Sequence, residues 1–156
     1  MKKLLTVLMA LCLLCTAVSA LAEDVPTWDS MPDVVVEDDT TTVEKSAFDG
    51  TWVLDKAFLG EAYIDVDALK ETTGVTVPTF TIEDGTLRFT DDDGNGGTAE
   101  KEIACVFDAG QLQGEAEGVS FVFELLVDGN IVMTYFLKGE GDETICLTLF
   151  LVRAEA

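Results

Sequence analysis

The chain has 156 residues, 48% of them apolar, and carries a formal net charge of −21 at pH 7. A surface this acidic repels nucleic acid and anionic membranes, so we expect neither as a partner. The sequence has no histidine, no Gly-x-Ser-x-Gly motif and no phosphate-binding loop. Histidine is the commonest general base, the Gly-x-Ser-x-Gly motif carries a nucleophilic serine, and the loop binds phosphate groups. Because all three are missing, the sequence predicts a protein that is not an enzyme.

Residues 1–22 have the composition of an export signal. Two lysines precede an apolar run, and a small-residue triplet ends at Ala22. A retained membrane anchor would need a longer apolar span. We therefore expect cleavage after Ala22, no membrane span in the mature chain, and a secreted or extracytoplasmic protein, with periplasm and medium both left open.

Residues 23–46 differ in composition from the rest of the chain. They hold many acids, two prolines and a single apolar run at residues 34–36. Too little apolar surface is present to form a core, so the segment is predicted to be a flexible acidic tether. Trp28 within it could dock on the domain that follows, although a lone aromatic residue is more often incidental.

Residues 47–156 are the predicted globular domain, in which short runs of alternating apolar and polar residues are separated by turns rich in Asp and Gly. This pattern predicts an all-β fold, an eight-stranded antiparallel up-and-down barrel. The expected strands are residues 51–56, 79–83, 86–90, 98–107, 111–115, 119–127, 131–137 and 144–153. One short helix is expected in the first connection, because Asp65 can cap its start and Gly74 its end. That connection is either a lid or a seal for one barrel end.

The parity of the strands places a set of aromatic residues on the inward face. They would line a ligand cavity or fill the barrel, and both alternatives remain open. The set is Phe80, Phe89, Phe107, Phe121, Phe123 and Tyr135. The last two strands are also apolar on their second face, through Val132 and Phe150. We therefore expect either residues 59–77 or the tether to cover that face.

Two cysteines remain after the expected cleavage, Cys105 and Cys146. Two cysteines in an exported chain can form a disulfide. Their parities, however, place them on opposite faces of non-neighbouring strands. We predict that both are free thiols that pack as small apolar groups.

Gly50-x-Trp52 opens the first strand, a partly helical connection follows, and Arg153 ends the last strand. In this the chain resembles the lipocalin-like domains of secreted bacterial proteins, a calycin type of β-barrel. The resemblance implies that Arg153 lies across Trp52 at the closed barrel end, and that the protein binds or sequesters a small apolar ligand. The alternative is a filled barrel that acts as an extracellular protein-interaction, inhibitor or envelope-associated module, with its protein partner unknown.

Residues 91–102 match the EF-hand calcium loop at five positions, and the candidate ligands are Asp91, Asp93, Asn95 and Glu102. The flanking residues read as strands, whereas an EF-hand loop lies between helices. If residues 98–102 are extended, Glu102 cannot easily fold back onto Asp91. The favoured interpretation is a polar hairpin loop with no cofactor, and a calcium-stabilised module is the alternative.

Overall fold

The structure is a computed structural model that describes residues 25–38, 40–74, 77–92, 97–116, 118–138 and 143–155. Two 3₁₀ helices (Trp28–Ser30 and Lys45–Phe48) precede the barrel, and one α-helix, α1 (Val66–Thr73), follows the second strand. The described strands are β1 (Gly50–Leu59), β2 (Ala62–Ile64), β3 (Phe80–Glu83), β4 (Thr86–Asp92), β5 (Thr98–Ala104), β6 (Val106–Asp108), β7 (Gln111–Ala116), β8 (Val119–Leu125), β9 (Ile131–Lys138) and β10 (Thr144–Arg153). Across these ranges no helix is long and apolar enough to cross a membrane.

The strands form one antiparallel sheet in the order β5-β4-β3-β1-β10-β9-β8-β7-β6, with β2 paired to β1. The first and last long strands pair along their length, from Trp52 opposite Arg153 to Leu59 opposite Leu147. The two ends of the order, β5 and β6, follow each other in the chain and are separated only by Cys105. The sheet is therefore a nearly closed barrel with a seam between β5 and β7.

The prediction of eight strands was wrong, because the described part of the chain forms ten. The predicted strand 98–107 breaks at Cys105, since its partner β4 begins at Thr86, which already lies opposite Ala104. With no β4 residue left to pair, the chain crosses the seam and pairs with β7 instead. The other additional strand, β2, arises because Gly60 adopts φ +58° and turns the chain back onto β1.

The predicted helix is confirmed as α1. The Asp65 carboxylate accepts hydrogen bonds from the backbone N–H groups of Asp67 and Ala68 at 3.1 and 3.0 Å, and Gly74 ends the helix at φ +67°. Val66 and Leu69 are buried. They form a second apolar cluster with Ala57, Ile64 and Leu147, so the helix covers one end of the barrel, called here the helix end.

The opposite end, called here the Trp52 end, is closed by side chains of the main core. The second 3₁₀ helix places Phe48 there, and this helix contacts β3, β7 and β8. The fully buried side chains around it come from both halves of the sheet: Trp52, Ile82, Leu87, Leu112, Phe123, Ile131, Met133 and Leu151. The barrel core is therefore dense at this end.

Residues 25–36, called here the strap, belong to the predicted acidic tether and pack on the outer face of the barrel. The Val35 N–H donates to the Leu125 carbonyl at 2.8 Å, and Val34 bridges to Leu126. The Trp28 ring lies 5.5 Å from that of Phe58 and 6.0 Å from that of Phe150. The strap thus covers the second apolar face of the last two strands, one of the two expected covers.

Both described cysteines are free, as predicted. Cys105 faces inward beside Gly114, and burial raises the pKa of its thiol to about 11. Cys146 lies opposite Phe136 on the outer face. At neutral pH Cys105 therefore behaves as a small apolar group and not as a nucleophile.

Candidate ligand-binding site

The structure brings Gly50, Trp52 and Arg153 together at the Trp52 end. The Arg153 guanidinium carbon lies 4.4 Å from the indole centroid, and Arg153 Nη1 donates to the Asp49 carbonyl at 2.9 Å. The Trp52 indole N–H donates to the Phe48 carbonyl at 2.8 Å. A Cβ on Gly50 would lie 3.3 Å from Arg153 Cζ and even closer to Nη1, so only glycine leaves room for the arginine. These contacts join the first and last long strands at this end of the barrel.

We expect Arg153→Met to reduce the free energy of unfolding by about 0.5–1 kcal/mol, the value of a cation–π contact near the surface. Methionine keeps an apolar chain over the indole. The lost stability therefore measures the contribution of the Arg153 charge and of its hydrogen bond to the Asp49 carbonyl. Urea denaturation followed by Trp fluorescence measures the change. A variant as stable as the parent protein would contradict a stabilising role for this contact.

The six aromatic residues predicted to line a cavity all belong to, or pack against, the main core. Phe121 contacts Phe123 and Tyr135 with ring centroids 5.7 Å apart in both pairs, and Phe107 contacts the end plug Phe48 at 6.2 Å. Phe80, Phe121 and Phe123 are 3% exposed or less. The aromatic residues therefore fill much of the barrel by packing on one another.

Burial is less complete toward the helix end. Leu54, Leu149 and Tyr135 are only partly buried, although their strands belong to the barrel wall. All three pack against both the main core and the cluster under α1. They therefore mark the boundary between the filled part of the barrel and its helical cover.

A cleft of about 460 Å³, called here the helix-side cleft, opens beside this boundary. It exists because β3 pairs with β1 only from Gly50 to Trp52, so beyond Trp52 the segment before β3 separates from β1. The described residues that line it are Val53, Leu54, Lys70, Gly74, Val77, Pro78 and Thr79. Four of the seven are apolar, and Leu54 connects the cleft to the barrel interior.

A second cleft of about 360 Å³ lies between the strap and the outer face of β1 and β10. Its lining includes Pro26, Met31 and Phe150 as well as Asp55, Lys56 and Asp128. Lys56 is already paired with Asp55. None of the six predicted lining residues contributes to either cleft.

The calcium candidates are only partly described. Asp93 and Asn95 lie outside the described residues, as does the side chain of Asp91. The Glu102 carboxylate accepts from Arg88 Nε at 2.9 Å across the β4–β5 pair, and this hydrogen bond is the main cause that raises the pKa of Arg88. The Glu102 carboxylate is thus already paired with the Arg88 guanidinium. Calcium binding stays a prediction.

Within the described ranges no group of three or more His, Cys, Asp or Glu residues is placed to hold a metal ion. The three described serines, Ser30, Ser46 and Ser120, are all exposed. The export signal at residues 1–22 lies outside the described residues, so cleavage and localisation also stay predictions.

The sequence analysis did not identify the cleft residues. Leu54 could have been selected, because it shares the inward parity of Trp52. Nothing in the local sequence marks Lys70, Val77 or Thr79, since the cleft depends on where β1 and β3 stop pairing. Comparison with protein-family models finds no matching family, and comparison with curated proteins finds no relative.

Proposed function

We propose that this is a non-catalytic, exported binding protein that takes a small apolar ligand into the helix-side cleft. The observation that supports the proposal most is the position of the cleft, whose lining extends from Lys70 on α1 to Leu54 on the barrel wall. Its volume lies within the range of about 300–1,000 Å³ that is usual for small-molecule sites. The lipocalin-like resemblance of Gly50, Trp52 and Arg153 agrees with such a role.

The ligand's position differs from the one proposed from the sequence. The aromatic residues belong to the main core or pack against it, and the ligand contacts Leu54, Val77 and Pro78 instead. Because aliphatic and prolyl side chains offer few hydrogen bonds, they favour an apolar ligand. Thr79 and Lys70 at the rim supply the polar contacts that orient it.

Fluorescence titration with N-phenyl-1-naphthylamine, a neutral apolar probe, tests the proposal. We expect saturable binding that Thr79→Trp weakens at least about tenfold, because the indole occupies cleft volume. Thr79 is exposed, so the substitution leaves the core intact. Thr144→Trp, the same change at an exposed threonine of β10 that does not line the cleft, is the matched control and should bind the probe as the parent protein does.

Val77→Ala provides a second variant, which removes apolar lining without filling the cleft. The variant should also have a lower affinity for the probe, while its circular dichroism spectrum keeps the native sheet signal. Binding that does not saturate, or that is equal in the parent protein and Thr79→Trp, would overturn the proposed site.

The alternative function, an interaction module that acts through its outer surface, has one observation in its favour. Phe136 on β9 is 42% exposed and Val106 on β6 is 67% exposed, although both lie on the barrel wall. If the probe fails to bind, these outer residues become the next positions to substitute in a search for a protein partner.

A further inference from the structure

The helix-side cleft has one charged residue among its described lining residues, and that residue is basic. Lys70 lies on α1 and lines the cleft together with Leu54 and Val77. The chain as a whole carries 30 acidic and 9 basic residues. A lone lysine at an otherwise uncharged cleft is therefore opposite in sign to the surface around it.

Lys70 is held only weakly by the protein. Its ammonium nitrogen lies 3.1 Å from an Asp67 carboxylate oxygen one turn earlier in α1. The Lys70 and Asp67 side chains are 44% and 88% exposed, and exposed pairs of this kind contribute little to stability. An incoming anion can take the place of Asp67 at small cost, because the lysine stem is flexible.

We infer that the ligand carries an anionic group, such as a carboxylate or sulfonate, which pairs with Lys70 while its apolar part occupies the cleft. This inference rests on the proposed function. It narrows the ligand class to apolar acids that are free in solution and not held in a membrane. The acidic surface does not prevent such binding, since charges beyond about 8 Å are largely screened at physiological salt. Among the described residues that line the cleft, Lys70 is the one with a charged side chain.

Two probes that differ only in a sulfonate test the inference. N-phenyl-1-naphthylamine is neutral, and 1-anilinonaphthalene-8-sulfonate is the same molecule with the anionic group. Lys70→Gln should lower the affinity for the sulfonate probe about three- to tenfold. It should change the affinity for the neutral probe less than about twofold. Asp67→Asn removes the competing carboxylate. It should raise the affinity for the sulfonate probe and leave the affinity for the neutral probe unchanged.

Lys138→Gln is the matched control, because Lys138 is exposed on β9 and does not line the cleft. It should bind both probes as the parent protein does. If Lys70→Gln weakens both probes equally, or neither, the anionic ligand class is wrong while the cleft itself stands. If the neutral probe fails to saturate, the proposed function fails first.

Competition against the neutral probe then identifies the source of the anion. Dodecanoate should displace it more strongly than dodecanol, and dodecyltrimethylammonium should be the weakest competitor. The protein should not co-sediment with vesicles of phosphatidylglycerol, because the cleft accepts a free molecule and the acidic surface repels an anionic membrane. Displacement in which the ammonium compound is strongest would overturn the inference.

Discussion

Phe48→Ala should reduce the free energy of unfolding by about 3–5 kcal/mol, the usual cost of removing a fully buried aromatic side chain. Phe48 is fully buried in the plug at the Trp52 end and packs on Phe107. The total free energy of unfolding of a small domain is about 5–15 kcal/mol, so this variant loses a large share of its stability. Urea denaturation followed by circular dichroism measures the loss.

Phe136→Ala is the control for that experiment, since the same atoms are removed from a side chain that is 42% exposed. We expect a loss below about 1 kcal/mol there. Equal losses at the two positions would show that the 3₁₀ helix does not plug the barrel end.

Gly114→Ala should destabilise the protein by about 1–3 kcal/mol, the cost of overpacking a filled core. Gly114 lies opposite Phe121 on the neighbouring strand. A Cβ there would lie 2.6 Å from Phe121 Cε2 and 3.1 Å from Cys105 Sγ. Without that contact the same substitution would stabilise the strand by roughly 0.5–1 kcal/mol, so the sign of the change is diagnostic.

The double variant Gly114→Ala/Phe121→Leu tests the cause of that loss. Leucine withdraws the ring atoms that meet the new methyl group, so the double variant should be more stable than the sum of the two single changes predicts. A coupling of about 1–2 kcal/mol is expected from urea denaturation of all four proteins. Strict additivity would contradict a barrel interior filled by Phe121 against β7.

The sequence predicted the parts of the fold that depend on local chemistry. Asp65 and Gly74 mark the ends of α1 because a carboxylate cap and a left-handed glycine act within a few residues. The contact between Trp52 and Arg153, which the resemblance implied, follows from the pairing of β1 with β10, since directly opposed residues present their side chains on the same face.

The features that local sequence does not specify depend on distant partners. The break at Cys105 is set by where β4 begins, which alternation within residues 98–107 cannot show. The acidic composition of the tether does not show where the strap packs, because its position depends on an apolar face formed by Phe58, Leu126, Val132 and Phe150. The helix-side cleft likewise depends on the length of the β1–β3 pairing, so its residues, apart from the inward-facing Leu54, carry no local signal.

The most direct test of the account is an amide chemical-shift map recorded by NMR while N-phenyl-1-naphthylamine is added to the parent protein. The account predicts that the largest changes fall on Leu54, Val77 and Thr79, with the amides of Phe107 and Phe123 unmoved. Changes centred on the strap-side residues Met31 and Phe150, or no changes at saturating probe, would contradict a ligand site in the helix-side cleft.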